Sequence, residues 1–270
     1  MRYLGKVVYL HRYRGFESRP LRQRNIVSVS WLFFFQGRLN RRSSNIATVC
    51  YTVSMQPYLI GIAGPSGAGK SVLCRSIQTR FENVSRLKLD DFFKDIEEVP
   101  RYKDWIHWDQ PESLHWEDLV QAVQDLKTGK HAIVPNYSRK DDRRVGEKCV
   151  FPAPIILVDG FMTLCDERVR DLLDLSLFLT LSEESQVKRR KLRQPWVEEG
   201  YLHEIMLPAA RECIMPSSNF ADYIIDAEPK IDEVFAATCN HLETTVPGLL
   251  KNLETSSNFR CEKISQLVVT

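Results

Sequence analysis

The chain has 270 residues, 43% of them hydrophobic, and this is enough apolar material to bury a full core. Residues 1–54 contain ten lysines and arginines but one acid, a charge of +9. Because the whole chain carries +2, residues 55–270 carry −7. The basic character therefore belongs to the first 54 residues and gives no support for a nucleic-acid-binding surface on the folded body, so we expect no nucleic-acid partner.

Cysteine usage and hydropathy indicate a soluble, cytoplasmic protein. The seven cysteines include no Cys-x-x-Cys pair, which is typical of a reduced compartment and disfavours structural zinc. The longest strongly apolar run, residues 31–35, is far shorter than the roughly 20 residues that span a bilayer. We expect no membrane partner. The sequence does not decide whether the protein forms a homo-oligomer.

The basic leader has two interpretations. Residues 15–23 (GFESRPLRQ) are what results when the T loop and the CCA-ending stem of a transfer RNA gene are read as codons. We therefore expect residues 1–54 to be a mis-called gene start, with an organellar transit peptide as the alternative. The catalytic domain is expected over residues 55–250, followed by a polar tail over 251–270.

Short apolar runs alternate with stretches of helical periodicity. The runs that predict buried strands are residues 58–63, 85–89, 154–158, 175–181 and 223–225. The predicted helices are residues 70–80, 114–126 and 183–192. This alternation predicts a three-layer α/β fold with a parallel sheet of about five strands, in which ligands bind at the carboxyl ends of the strands.

The first predicted strand leads into a phosphate-binding loop. Residues 64–71 (GPSGAGKS) match G-x-x-x-x-G-K-[ST] between a predicted strand and a predicted helix, the context that supports this motif. Lys70 would neutralise the β- and γ-phosphates, and Ser71 would ligate Mg²⁺. No Asn-Lys-x-Asp motif is present, so ATP is expected rather than GTP. The predicted nucleotide-binding residues are Gly64, Pro65, Ser66, Gly67, Ala68, Gly69, Lys70, Ser71 and Val72.

Acidic residues follow two of the predicted strands. Asp90 and Asp91 come after the second apolar run, and a kinase needs one carboxylate there to accept the proton of the acceptor hydroxyl. We assign that role to Asp90, whereas Asp91 is read as a helix cap or a solvated turn residue. Asp159 follows the third run and is predicted to hold Mg²⁺, directly or through water.

A basic segment, residues 188–193 (KRRKLR), follows the fourth predicted strand. A charge run of this kind is usually a solvated face. Here it precedes a Pro/Gly-containing segment, so we predict a mobile lid near residues 189–202 that brings Arg189 or Arg193 over the transferring phosphoryl group.

With these motifs in place, residues 55 to about 230 resemble the uridine kinase family of P-loop kinases, to which nicotinamide riboside kinases are related. The likeness rests on residues 89–93 (LDDFF), 108–113 (WDQPES) and 215–225 (MPSSNFADYII). The resemblance implies that Asp109 grips ribose hydroxyls.

At the acceptor pocket this sequence departs from the family pattern. Residues 135–143 fall where uridine kinases carry P-x-Y-D-F-x-x-H-[ST]-R, and Asp142 stands in place of the base-contacting His. Tyr137 either stacks on the base of the acceptor or is an ordinary aromatic residue of a turn. The acceptor-binding residues expected from the resemblance are Asp90, Phe93, Trp108, Asp109, Tyr137 and Asp142.

The resemblance implies ATP-dependent phosphorylation of a nucleoside 5′-hydroxyl. Two alternative kinase functions would use the same phosphate-side residues. One is phosphorylation of nicotinamide riboside, whose cation would face Asp142, and the other is phosphorylation of another small metabolite. A regulatory ATPase or switch is the alternative of a different class, and it would keep the phosphate loop without an acceptor pocket.

Overall fold

The computed structural model describes residues 56–246. The predicted leader and tail lie outside the described residues. In the described part, no helix combines the length and the apolar character needed to cross a bilayer.

A five-stranded parallel sheet forms the centre of the fold, as predicted. Its strands lie in the spatial order β2 (Val84–Lys88), β7 (Ile155–Asp159), β1 (Tyr58–Ala63), β8 (Leu175–Thr180) and β9 (Tyr223–Asp226). Each corresponds to a predicted run within one or two residues. The sheet brings the ends of β1, β2 and β7 together at one edge.

Helices cover both faces of the sheet and make three layers. Buried residues of α1 (Lys70–Arg80) and α7 (Ile231–Thr245) pack on the face that carries Ile60 and Ile62. Those of α2 (Trp116–Lys127) and α3 (Glu167–Leu172) pack on the opposite face. The three-layer prediction is confirmed. The helix expected to begin at residue 114 begins at Trp116, because Leu114 has extended backbone angles.

An antiparallel hairpin lies outside the central sheet and was not predicted. It consists of β5 (Ala132–Ser138) and β6 (Arg143–Val150), which form a two-stranded sheet of their own. A smaller pair, β3 (Arg101–Tyr102) and β4 (Trp105–Ile106), forms another.

The predicted lid coincides with the end of one helix and the start of a long helical run. α4 (Glu183–Arg193) carries the basic segment and ends at the Gln194 cap. The chain becomes helical again in α5 (Glu199–Tyr201). It continues through Leu202–Met206 (π-helical), α6 (Leu207–Ala209), Ala210–Ile214 (π-helical) and Met215–Phe220 (3-10 helical).

Candidate active site

The loop between β1 and α1 has the backbone of a phosphate cradle. Gly64, Gly67 and Gly69 have φ angles of 138°, 81° and 86°, a region that side chains rarely adopt. At Gly64 a Cβ atom would also lie 2.3 Å from the carbonyl oxygen of Leu179. These glycines let backbone N–H groups and the N-terminus of α1 face an anion. Val72 follows inside α1 and is 40% exposed.

Lys70 is held against the loop it belongs to. Its Nζ atom donates to the carbonyl oxygens of Gly64, at 2.7 Å, and Pro65, at 2.9 Å. Burial lowers the pKa of Lys70 to about 8, against the opposing effects of Asp159 and Asp90. The side chain is therefore a buried cation at the floor of the cradle, where the phosphates of a nucleotide would offset its charge.

Ser71 and Asp159 meet at the end of β7. The Ser71 hydroxyl donates to Oδ2 of Asp159 at 3.0 Å. Oδ1 of Asp159 is buried and has no hydrogen-bond partner among residues 56–246. A hydroxyl and a carboxylate beside a phosphate cradle suit Mg²⁺, which is commonly held by one or two protein oxygens, substrate phosphates and water. The donor set fits that ion. No cluster of three or more His, Cys, Asp or Glu side chains able to hold a metal occurs in the described part of the chain.

Arg86 is a residue of this site that the sequence reasoning missed. It lies on β2, and its Nε atom donates to Oδ2 of Asp159 at 3.0 Å while its Nη2 atom contacts the same oxygen. The sequence did contain a signal for Arg86. An arginine inside a strand that is expected to be buried needs a partner of opposite charge.

The two acids after β2 have separate surroundings. Asp90 is about half exposed, and its Oδ2 atom lies 3.0 Å from Nη2 of Arg139. Asp91 is 7% exposed and accepts a 2.6 Å hydrogen bond from Lys148 of the hairpin. Asp90 therefore stands where a reacting hydroxyl can approach it. Asp91 connects the hairpin to the 3-10 turn Leu89–Phe92. It is therefore neither a helix cap nor a solvated turn residue, the two roles expected from the sequence.

An aromatic cluster lies next to Asp90. The Phe93 ring centre is 5.4 Å from that of Trp108, 5.8 Å from Tyr137 and 6.1 Å from Phe161. The Arg139 guanidinium lies 4.5 Å from the Phe93 ring centre. The Tyr137 ring is buried against the cluster, and its hydroxyl has no hydrogen-bond partner within residues 56–246. The structure thus brings three predicted acceptor residues together and adds Phe161.

Asp109 connects the cluster to the lid. Its carboxylate is 7% exposed and accepts a hydrogen bond from the Tyr201 hydroxyl of α5. Burial, together with the charge of Asp109, raises the pKa of Tyr201. The Tyr201 ring also meets Trp105 edge to face, with ring centres 6.1 Å apart. The lid therefore contacts the acceptor side of the site as well as the phosphate side.

Asp142 lies in the turn of the β5–β6 hairpin, with φ at 48°. Its carbonyl oxygen accepts a hydrogen bond from Ile96 at 2.9 Å. Burial raises the pKa of Asp142, and the charge of Arg139 acts in the opposite direction. Asp142 also contributes to the raised pKa of Tyr137, after burial. Its carboxylate is thus close enough to both side chains to influence them.

The arginines of α4 divide into different roles. Arg189 donates to the carbonyl oxygens of Gly67, Ala227 and Glu228, at 2.9 to 3.3 Å. Its guanidinium therefore connects the backbone of the phosphate loop to the backbone that follows β9. Arg190 donates to the Ser66 hydroxyl at 3.3 Å.

Arg193 lies within the electrostatic reach of the acceptor side. Burial, then the charge of Arg190, lowers its pKa, with Asp90 and Asp109 opposing. Of the two lid arginines named from the sequence, Arg189 donates to backbone carbonyls, whereas the charge of Arg193 interacts with these carboxylates.

Comparison with known proteins agrees with this geometry. The phosphoribulokinase/uridine kinase family model matches residues 59–233, more than half of the chain. A uridine kinase of Brevibacillus brevis is 30% identical over 183 residues, which cover 63% of this chain and 84% of that protein. Uridine-cytidine kinase B of Dictyostelium discoideum is 28% identical over 187 residues, covering 64% and 75%.

A longer relative is matched only in part. Uridine kinase-like protein 4 of Arabidopsis thaliana is 27% identical over 206 residues, which cover 70% of this chain and 44% of that protein. The chain therefore spans less than half the length of that relative. The phosphate loop, the parallel sheet and the family match over the body lead to one conclusion: this chain belongs to the phosphoribulokinase/uridine kinase family of kinases.

Proposed function

We propose that the protein transfers the γ-phosphoryl group of ATP to the 5′-hydroxyl of a nucleoside, giving a nucleoside monophosphate and ADP. The observation that carries the proposal is Asp90, a half-exposed carboxylate between the phosphate loop and an aromatic cluster. A switch or regulatory ATPase has no use for a carboxylate in this position. The reaction would belong to nucleoside salvage in the cytoplasm.

Each charged group has a place in this reaction. Asp90 accepts the proton of the attacking hydroxyl, which must approach the γ-phosphate in line. Lys70 and Arg193 offset the negative charge that spreads over the transferring group. Mg²⁺, held by Ser71 and Asp159, supplies further charge neutralisation when it is bound. Asp109 orients the acceptor through its ribose hydroxyls.

The aromatic cluster supports a planar acceptor. Phe93 and Tyr137 are 1% and 9% exposed, whereas Trp108 is the partly exposed ring of the cluster, so an aromatic base would stack on Trp108 beside the buried pair. A planar group placed here would position a ribose between Asp109 and Asp90.

A second acceptor, nicotinamide riboside, is favoured by one observation. Asp142 lies in the turn of the hairpin that carries Tyr137, so a cationic ring on the cluster would have an opposite charge on the same hairpin. Arg139 opposes this choice because its guanidinium already lies over Phe93.

The decisive experiment is ADP release by the full chain with Mg-ATP and a panel of uridine, cytidine, nicotinamide riboside and non-nucleoside alcohols. We expect one nucleoside to stimulate turnover. Asp90→Asn should lower that turnover by about 10²- to 10⁴-fold. Asp232→Asn, an exposed acid on α7, is the matched control. Acceptor-independent hydrolysis would support the switch, and stimulation by a non-nucleoside alcohol would move the function to another metabolite.

A further inference from the structure

Arg86 and Asp159 form an ion pair beneath the phosphate loop. Their side chains are 7% and 3% exposed. Three donors meet at Oδ2 of Asp159, namely the Ser71 hydroxyl and the Nε and Nη2 atoms of Arg86. Oδ1 is buried and accepts no hydrogen bond from residues 56–246. One oxygen of the carboxylate is thus saturated while the other is left open.

We propose that Arg86 is a positioning residue that serves as the permanent counter-ion of Asp159 and cancels the negative charge of the protein's own metal site. Free Mg²⁺ then has little affinity for the protein, and the ion enters together with the nucleotide. The inference rests on the proposed function in one respect, the role of Asp159 toward Mg²⁺.

The charge of the Asp159 carboxylate is buried and therefore has to be offset. A buried carboxylate without a partner is costly, and either a metal ion or a cationic side chain can offset its charge. Here a guanidinium does so, and guanidinium groups do not deprotonate in proteins. The positive charge of Lys70 also lies close, because Lys70 is buried and directly precedes Ser71, whose hydroxyl donates to Asp159. A free divalent cation would therefore approach one carboxylate and two cations.

The nucleotide changes this balance. Its phosphates bring several negative charges to the cradle, so that Lys70 is offset and a cation is attracted. Meanwhile Arg86 and Ser71 keep hold of Oδ2, so the carboxylate cannot rotate freely, and Oδ1 is the oxygen left for the ion or one of its water ligands. Arg86 thus orients Asp159 without touching the reacting atoms.

Metal binding without nucleotide tests the proposal. Mn²⁺ is titrated into the full chain and followed by electron paramagnetic resonance, and Mg²⁺ is tested by its effect on the melting temperature. The wild-type protein should bind Mn²⁺ weakly and should not be stabilised by Mg²⁺. Arg86→Met should bind Mn²⁺ more tightly by on the order of tenfold or more, because Asp159 has lost its counter-ion. Arg86→Met combined with Asp159→Asn should lose that gain.

Folding of the variants is controlled as well. Arg86→Gln is neutral but still offers a hydrogen-bond donor, and it should show the same gain. A variant that folds only with millimolar Mg²⁺ also supports the proposal. Wild-type binding as tight as that of Arg86→Met would overturn it. So would a double variant that binds equally well, or single variants that stay unfolded in Mg²⁺ while the double variant folds.

No acceptor and no turnover enter these titrations, so the two proposals fail separately. A protein with the expected metal behaviour but without nucleoside-stimulated turnover keeps the role of Arg86 and loses the proposed function. Nucleoside kinase activity together with tight nucleotide-free Mn²⁺ binding by the wild type removes only the role of Arg86.

Discussion

The Arg139 guanidinium lies 3.0 Å from the Asp90 carboxylate. It also lies over the Phe93 ring, so that one side chain of the hairpin contacts both the proposed base and the aromatic cluster. The ion pair is about half exposed on both sides, and exposed pairs contribute little to stability, about 0–1 kcal/mol. Its importance therefore lies in where it holds Asp90.

The first prediction concerns this contact. Arg139→Met should lower kcat by about tenfold, because Asp90 loses the group that orients it. The free energy of unfolding should fall by less than about 1 kcal/mol. Steady-state kinetics and chemical denaturation check both values. Arg143→Met is the matched control, since Arg143 lies on the same hairpin and forms an exposed pair with Glu97, which lies outside it. Equal kinetics in the two variants would contradict the assignment.

The second prediction concerns the link between lid and acceptor site. Tyr201→Phe removes the hydroxyl that donates to the buried Asp109 carboxylate. The free energy of unfolding should fall by about 1–3 kcal/mol, because Asp109 loses a buried donor. A saturating acceptor should restore part of this loss, since its hydroxyls replace the missing donor. Thermal melts with and without acceptor measure the effect, and Tyr102→Phe on an exposed ring should change neither melt.

The third prediction follows from Lys70, whose pKa burial lowers from 10.5 to about 8. The charged form is the costly one in the folded protein, so this residue's contribution to stability becomes more favourable as pH rises from about 8 to 10.5. ATP requires the charged form, so its affinity should fall above pH 8 by up to about tenfold per unit.

Calorimetry in buffers of different ionisation enthalpy measures the proton uptake on ATP binding that this predicts. Lys70→Met should bind ATP more weakly, without uptake from this residue and with a flatter pH dependence between 8 and 10. An unchanged pH dependence in that variant would show that another group titrates.

The fourth prediction separates two lid arginines. Arg193→Gln should lower kcat by about 10²-fold or more with little change in stability, because its role is to offset transition-state charge. Arg189→Gln should raise the KM for ATP and lower the melting temperature, because three backbone carbonyls lose their donor. Steady-state kinetics and thermal melts of both variants test these separate roles. An effect of Arg189→Gln that is confined to kcat would contradict the structural role of Arg189.

Much of the fold was predictable because parallel strands buried on both faces produce short apolar runs. The phosphate loop was predictable because glycines at positive φ leave a spacing that can be read directly. The hairpin was not predicted. Its two strands are exposed on one side and contain Pro135 and Gly146, so they lack the continuous apolar run on which the strand assignment relied.

The polar partnerships were less accessible from sequence. Arg86 meets Asp159, Lys148 meets Asp91 and Tyr201 meets Asp109 across long sequence separations that no spacing rule links. Each pair depends on the tertiary fold to bring two elements together. Asp91 and Asp159 could be named because they follow predicted strands, and Asp109 because of the family resemblance, whereas their partners lie at positions that no local pattern distinguishes.

The hairpin also separates two kinds of chemistry in the molecule. The phosphate loop, Asp159 and Arg86 belong to the central sheet and its first helix, while Tyr137, Arg139 and Asp142 belong to a separate two-stranded sheet that packs on the 3-10 turn Leu89–Phe92 and on α2. We expect substitutions in the hairpin turn to leave the register of the central sheet unchanged, because β5 and β6 pair with each other and with none of its strands. Under the proposed function, the acceptor would change through the hairpin while the phosphate-binding core stays constant, and a hairpin transplanted from a relative would be a compact route to a new substrate.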